Sequence, residues 1–338
     1  MNNTTRNQSY DMAGLFTLSI RLVIGWTYFS AFWRRLVLEN KLIPDEAGYI
    51  GEKFNHFLPN ALGIKPIIEY LVTHPDMLQN SMIAFTLIEA VVGLLLMLGL
   101  FTRLMSIGVF GLAMGILLGS GWIGTTCLDE WQIGILGIAG GFTLFLTGSS
   151  FYSADQYFLK NNFRFTYTKW FKWFNSGVLP FSNLKPFVLI GSVIIFGLTL
   201  FTNQYFHGGV WGTLHNKSVK PKLEISNVSL QKSNIQFQVY RTEGVDVYGS
   251  FLIGIHILDQ QGNVLKELNL KELSEFPKEN IQNHYVAKVK PGKHSLIIPL
   301  GSKADITINI NDLLSRKEEM YSLKLIDISG IEWKAKIN

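Results

Sequence analysis

One cysteine, Cys127, serves the whole 338-residue chain. No intrachain disulfide can staple it, and the thiol is free unless another chain pairs with it; cysteine usage says nothing firm about redox compartment. No CxxC, HExxH or paired-histidine spacing occurs, so the usual sequence signs of haem, iron–sulfur or zinc ligation are missing. Charge is scarce, at 16% of residues. The net +5 is no nucleic-acid signature, because one loop accounts for the excess. A basic n-region and a small-residue cleavage site are both lacking around the first apolar stretch, which therefore reads as a retained helix and not a signal peptide. There is no tandem repeat and no low-complexity tract.

What the chain does have is apolar length. Five runs, 13–33, 81–100, 104–124, 131–148 and 186–202, each approach the roughly 20 residues that cross about 30 Å of hydrocarbon. Hydrophobic residues make up 48% of the chain, and the mean hydropathy is +0.21. The loop 149–185 carries Lys160, Arg164, Lys169, Lys172 and Lys185 against Asp155 alone. By the positive-inside rule it is cytoplasmic, together with Arg103 and the N-terminus with Arg6. Alternation then puts 34–80, 125–130 and everything after 203 outside.

Beyond 203 the segments LEISNVSL, NIQFQVYR, SFLIGIHILD, KHSLIIPL, ADITINI and YSLKLIDIS are short, β-rich and often alternating, with turn signals at Gln261-Gly262-Asn263, Pro291-Gly292 and Ser329-Gly330. The expected fold class is membrane α plus all-β. A four-helix transmembrane domain occupies 1–160 and a basic cytoplasmic linker 161–185. An anchor helix follows at 186–202, then an extracytoplasmic β-sandwich at 203–338. This is a multi-pass protein of the cytoplasmic (inner) membrane.

Ionisable residues inside spans are costly and call for partners. Arg21 and Glu89 lie at depths of roughly 12 and 16 Å from the cytoplasmic side at 1.5 Å per residue, which predicts an ion pair between them. The competing reading makes Glu89 a proton relay for a redox reaction. Trp26, Trp33, Trp122 and Trp131 suit interfacial belts. Glycines in GVFGLAMGILLGSGWIG and IGILGIAGG predict tight helix packing. His207 and His215, flanking the connector, read as plain polar residues.

Arg34 and Arg35 end the first run on the side where positive charge is depleted. Either they bind an anion, or they snorkel to lipid phosphates and pair with Glu39 at i+4 from Arg35. Successive residues point about 100° apart, so one of the two faces the site. Cys127, in GWIGTTCLDEWQIG, lies on the same predicted side. Nearby arginines favour its thiolate and Asp129 opposes it.

At these residues the chain resembles a known family. LFTLSIRLVIG and GLFTRL are similar to the DoxX superfamily of small four-helix membrane proteins. GWTYFSAFWRRL and GWIGTTCLDEWQIG resemble DoxD, a subunit of thiosulfate:quinone oxidoreductase, and the helix 186–202 with its β-domain resembles the companion subunit DoxA. The resemblance implies oxidation of thiosulfate, or a related sulfur anion, to tetrathionate with electrons passed to a membrane quinone, without haem, flavin or metal. Cys127 then handles sulfur, and Arg34 and Arg35 bind the anion with Trp33 and His74 at the pocket mouth. Glu89 or Asp129 moves protons, and Trp26, Trp122 and Trp131 lie near the quinone. The partners implied are the bilayer and a second copy of the chain or a respiratory complex, with no nucleic acid. Two alternatives stand beside this: a non-catalytic subunit that docks a respiratory redox partner, and a sulfur-oxyanion transporter.

Overall fold

All five apolar runs become helices in the computed structural model, which describes residues 3–46, 48–124, 129–179, 183–245 and 251–337. In chain order the helices are α1 (Asn3–Phe16), α2 (Leu18–Phe32), α3 (Glu52–Phe57), α4 (Lys65–Thr73), α5 (Pro75–Leu98), α6 (Thr102–Ser120), α7 (Asp129–Thr147), α8 (Ala154–Lys160), α9 (Lys169–Phe174) and α10 (Lys185–His207). Strands β1 (Lys222–Gln231), β2 (Asn234–Glu243), β3 (Leu252–Leu258) and β4 (Val264–Leu268) follow, then α11 (Leu270–Ser274), β5 (Ile281–Asn283), β6 (Lys290–Pro291), β7 (Leu296–Ile297), β8 (Lys303–Asn309), β9 (Ser322–Asp327) and β10 (Glu332–Lys336). They divide into two compact units. One comprises Met1–Ile50, Gln79–Gly121 and Thr126–His215; the other comprises Gly51–Leu78, Trp122–Thr125 and Asn216–Asn338.

In the helical unit α5, α6 and α10 are each long and apolar enough to cross a membrane. A fourth such span forms if α1 and α2, extended to Leu38 and bent by 50°, count as one. The run expected as one helix over 13–33 is therefore broken at Thr17. There the hydroxyl turns back to the Ala13 carbonyl at 3.1 Å and meets Thr147 Oγ1 at 3.2 Å, a side-chain bond that competes with the helix ladder and bends it. The fourth run forms α7, whose first turn carries Asp129 and Glu130.

Small residues set the helix spacing, as their density predicts. A Cβ on Gly93 of α5 would lie 2.4 Å from the Phe29 backbone nitrogen of α2. On α7, a Cβ at Gly134, Gly137 or Gly141 would press on Leu117, Ala113 or the Ser106 carbonyl of α6. Tyr28, Val92, Leu96, Met105, Val109, Leu112 and Leu144 fill the interior. Leu189, Ile190, Val193, Ile194 and Phe196 of α10 stay exposed, as a lipid-facing helix requires.

One end of this unit is closed by a polar knot. Asp155, fully buried, accepts from Phe101 N and Thr102 N, from Thr102 Oγ1, and from Ser176 N and Oγ. Burial pushes its carboxyl up, while the bonds from Ser176, Thr102 and Phe101 pull it down. Arg103 donates to the carbonyls of Phe145, Asn175 and Gly177. Residues 175–177 of the expected linker are thus tied to the bundle, with Phe171 and Leu179 fully buried.

The second unit is a sandwich of two antiparallel sheets, ordered β1-β2-β8-β5 and β10-β9-β3-β7-β6, with β4 paired to β3. Alternation fixes the register: Phe237 faces Ile306 and Val239 faces Ala304 across β2 and β8, while Ile255 faces Leu325 and Ile257 faces Leu323 across β3 and β9. All eight side chains enter one core.

Residues 51–78, which the apolar runs place with the helical domain, cluster with these strands instead. Asn55, fully buried, donates to the Gly301 carbonyl at 3.2 Å and accepts from Ala287 N at 3.1 Å. Tyr285 Oη donates to Glu69 at 2.9 Å. Burial pushes the phenols of both Tyr285 and Tyr240 up most; the neighbouring Tyr285 adds to it for Tyr240, and the hydrogen bond to Glu69 adds to it for Tyr285.

Candidate functional site

The helix α2 does not stop where its apolar run ends. It widens into a π-helical turn over Trp33–Leu38 and terminates at Glu39, whose backbone is extended. Such turns are uncommon and gather at functional sites. Here the turn sends the tandem arginines different ways. Arg35 reaches across to α5 and forms an ion pair with Glu89; its guanidinium lies 6.0 Å from the Phe85 ring centre. Arg34 is exposed and uses Nε on the Ser30 carbonyl at 3.3 Å. It is still within electrostatic reach of Glu89. Within this cluster of Arg34, Arg35 and Glu89, two cations face one carboxylate.

The expected ion pair between Arg21 and Glu89 is not formed. The antiparallel register of α2 on α5 places Arg21 beside Gly99, where an added Cβ would lie 2.7 Å from Nη1. Glu89 is ten residues earlier on α5, about 15 Å away along the axis. Arg21 donates instead to the Tyr152 carbonyl at 2.8 Å. Nor does Arg35 pair with Glu39, which binds Lys41 at 3.0 Å because the helix has ended.

Glu89 has further polar company that the sequence did not mark. Tyr28, 5% exposed, lies within electrostatic range of it. Thr86, one turn earlier on α5, is fully buried, and its hydroxyl has no hydrogen-bond partner among the described residues. The only available signal was spacing. Tyr28 precedes Arg35 by seven residues and Thr86 precedes Glu89 by three, which places each on its partner's face.

The remaining expected site residues scatter. Trp33 and Trp26 are exposed beside Phe29, with ring centres 6.0 and 6.1 Å away. Trp131 donates to Thr202 of α10 at 2.9 Å. Trp122, expected in an interfacial belt and near a quinone, is fully buried in the sandwich unit and donates to the Phe57 carbonyl at 3.1 Å. Its helix ends at Ser120, so the indole is carried out of the span. His74 also belongs to that second unit, stacked on Tyr70 at 4.3 Å. His207 is no plain surface residue: it is fully buried with Nε2 at 2.9 Å from the Gly121 carbonyl. Asp129 is exposed in the first turn of α7. Cys127 lies outside the described residues.

Residues 16–182 match the family model described as TQO small subunit DoxD, and residues 206–336 match that described as TQO small subunit DoxA. The chain is a DoxD–DoxA fusion. TQO denotes thiosulfate:quinone oxidoreductase, so the chain has a membrane function related to that enzyme. No solved structure matches it. The DoxD region contains Arg34, Arg35, Glu89 and Cys127. It also contains 51–78, which nonetheless folds with the strands of the DoxA region. Among the described residues no group of three or more histidine, cysteine, aspartate or glutamate side chains could hold a metal ion.

Proposed function

We propose that this fusion oxidises thiosulfate to tetrathionate and passes the electrons to a membrane quinone. The observation that carries the reading is the arginine pair at the end of α2, one member neutralised by buried Glu89 and the other left to solvent. Two thiosulfate dianions brought to about 4 Å repel by roughly 4 kcal/mol even at water's dielectric. A site that couples them needs surplus cation, and Arg34 supplies it.

The chemistry balances in two steps. The Cys127 thiolate joins the outer sulfur of one thiosulfate as a cysteine S-thiosulfonate; the two electrons released, with two protons, reduce quinone to quinol. A second thiosulfate then attacks, with its own outer sulfur, the sulfane sulfur that lies between Sγ and the sulfonate of that adduct; the bond to Sγ breaks, tetrathionate leaves and the thiolate is restored. Glu89 is the proton carrier, with the Tyr28 and Thr86 hydroxyls beside it in the bundle. Asp129 is the second acid available on the cysteine's own segment.

Thiosulfate-dependent quinone reduction by the purified chain is the direct test. Steady turnover with tetrathionate as product is expected. Binding without quinone reduction would make it a docking subunit, and thiosulfate uptake into vesicles lacking quinone would make it a transporter.

The basic 149–185 loop supports an N-terminus inside and a β-sandwich outside. Protease added to intact cells should cut the sandwich and spare that loop; cutting the loop alone would invert the orientation.

A further inference from the structure

We propose that the β-sandwich carries its own binding cleft for sulfur oxyanion dianions, between the turn before β5 and strand β6. Its volume is about 230 Å³, the space of about eight waters. Three ammonium-bearing residues line it, Lys278, Lys288 and Lys290, and no carboxylate does.

The geometry follows from one buried residue and one amide. Val289 is 1% exposed and belongs to the sandwich core. Side chains alternate along an extended chain, so its neighbours Lys288 and Lys290 both stand on the solvent side, with backbones about 7 Å apart. The Asn283 amide clamps this strand, donating to the Val289 carbonyl at 3.0 Å and accepting from Val289 N at 2.7 Å. That clamp fixes β5 against the strand and sets Lys278, in the 3-10 turn just before β5, on the same cleft. Lys288 has a partner of its own, and Lys278 and Lys290 supply the charge that an anion requires. Ile281 and Pro291, half-buried, form an apolar floor.

Composition points the same way. From Lys278 to Asp305 the chain carries Lys278, Lys288, Lys290, Lys293, Lys303, His284 and His294 against Glu279 and Asp305 alone. His284 is tied to Asp305 at 2.8 Å, and Lys303 lies over the Tyr240 ring.

An apolar floor under a cationic rim suits a dianion whose sulfur atoms are soft and weakly hydrated while its oxygens hold the charge. Tetrathionate has this form at both ends, thiosulfate at one, and sulfate lacks the apolar part. The inference rests on the sulfur-oxidising reading above. On it, the DoxA region concentrates sulfur dianions by a fixed positive field.

Equilibrium dialysis of the full-length chain in detergent, without quinone, tests it with ³⁵S-labelled tetrathionate, thiosulfate and sulfate. In a background of Arg34→Gln with Cys127→Ser, which removes the exposed arginine and the thiol that would take up label covalently, tetrathionate should still bind. Adding Lys278→Gln and Lys290→Gln should weaken it about tenfold, whereas Lys334→Gln with Lys336→Gln should not. Sulfate should bind about tenfold more weakly than tetrathionate. Equal loss in both lysine pairs, no loss in the first, or equal affinity for sulfate would each overturn the proposal. Binding is read without turnover, so a chain that fails to reduce quinone yet binds through these lysines would sink the enzymatic reading alone.

Discussion

Cys127→Ser is expected to lower thiosulfate-dependent quinone reduction on the order of a thousandfold while leaving the fold intact. Serine preserves size, but its hydroxyl is un-ionised at neutral pH and forms no stable sulfur–sulfur bond. Removing a covalent nucleophile typically costs several orders of magnitude. The same mechanism requires an adduct on the wild-type protein. After thiosulfate and limiting quinone, intact-mass spectrometry should show one thiosulfate-derived addition on the sole cysteine, reversed by further thiosulfate. Full activity in the serine variant would leave direct attack of thiosulfate on quinone as the mechanism.

Arg34 and Arg35, adjacent in sequence, are expected to fail in different ways. Arg34→Gln removes an exposed cation whose hydrogen bond goes to the Ser30 carbonyl of its own helix. Folding should be unchanged and the KM for thiosulfate should rise about tenfold, the worth of a lost charge-assisted contact. Arg35→Gln strands Glu89, whose side chain is only 4% exposed. Breaking a buried pair from one side costs roughly 3–5 kcal/mol; with Arg35 itself 21% exposed, the lower end is expected. Thermal unfolding in detergent should show this loss for Arg35→Gln and not for Arg34→Gln.

The double variant Arg35→Gln with Glu89→Gln separates structure from chemistry. It should recover stability, because no unpaired charge remains, yet not recover turnover, because the proton carrier inside the bundle is gone. Recovered turnover would reduce the pair to helix packing.

The connection between sequence and site was legible in parts. Arg34, Arg35 and Glu89 stood out because charge is rare in and beside apolar runs and costly there. Their partners did not stand out. Depth estimates from the ends of apolar runs set Arg21 level with Glu89, but they ignore where the glycines let α2 and α5 touch. Contact of Gly93 with Phe29 slides the register until Arg35, not Arg21, meets the carboxylate. Tyr28 carries no mark in α2, which is already rich in aromatic and hydroxyl residues, and Thr86 is a single small uncharged residue in the apolar run of α5. Asp155 looked like a lone acid in a basic loop, yet it is the buried acceptor that ties that loop to the bundle.

Whatever depends on local pattern could be read from the linear chain. Long apolar runs must become helices in lipid because every backbone polar group there needs an internal partner. Alternating β-branched segments must become strands with one face buried. The motifs around Arg34 and Cys127 were enough to reveal the family. Which charges pair, where helices bend, and the folding of residues 51–78 and Trp122 into the sandwich unit were settled in three dimensions. Those outcomes rest on contacts between residues tens to hundreds of positions apart, such as Asn55 with Gly301. No periodicity in a linear chain records such contacts.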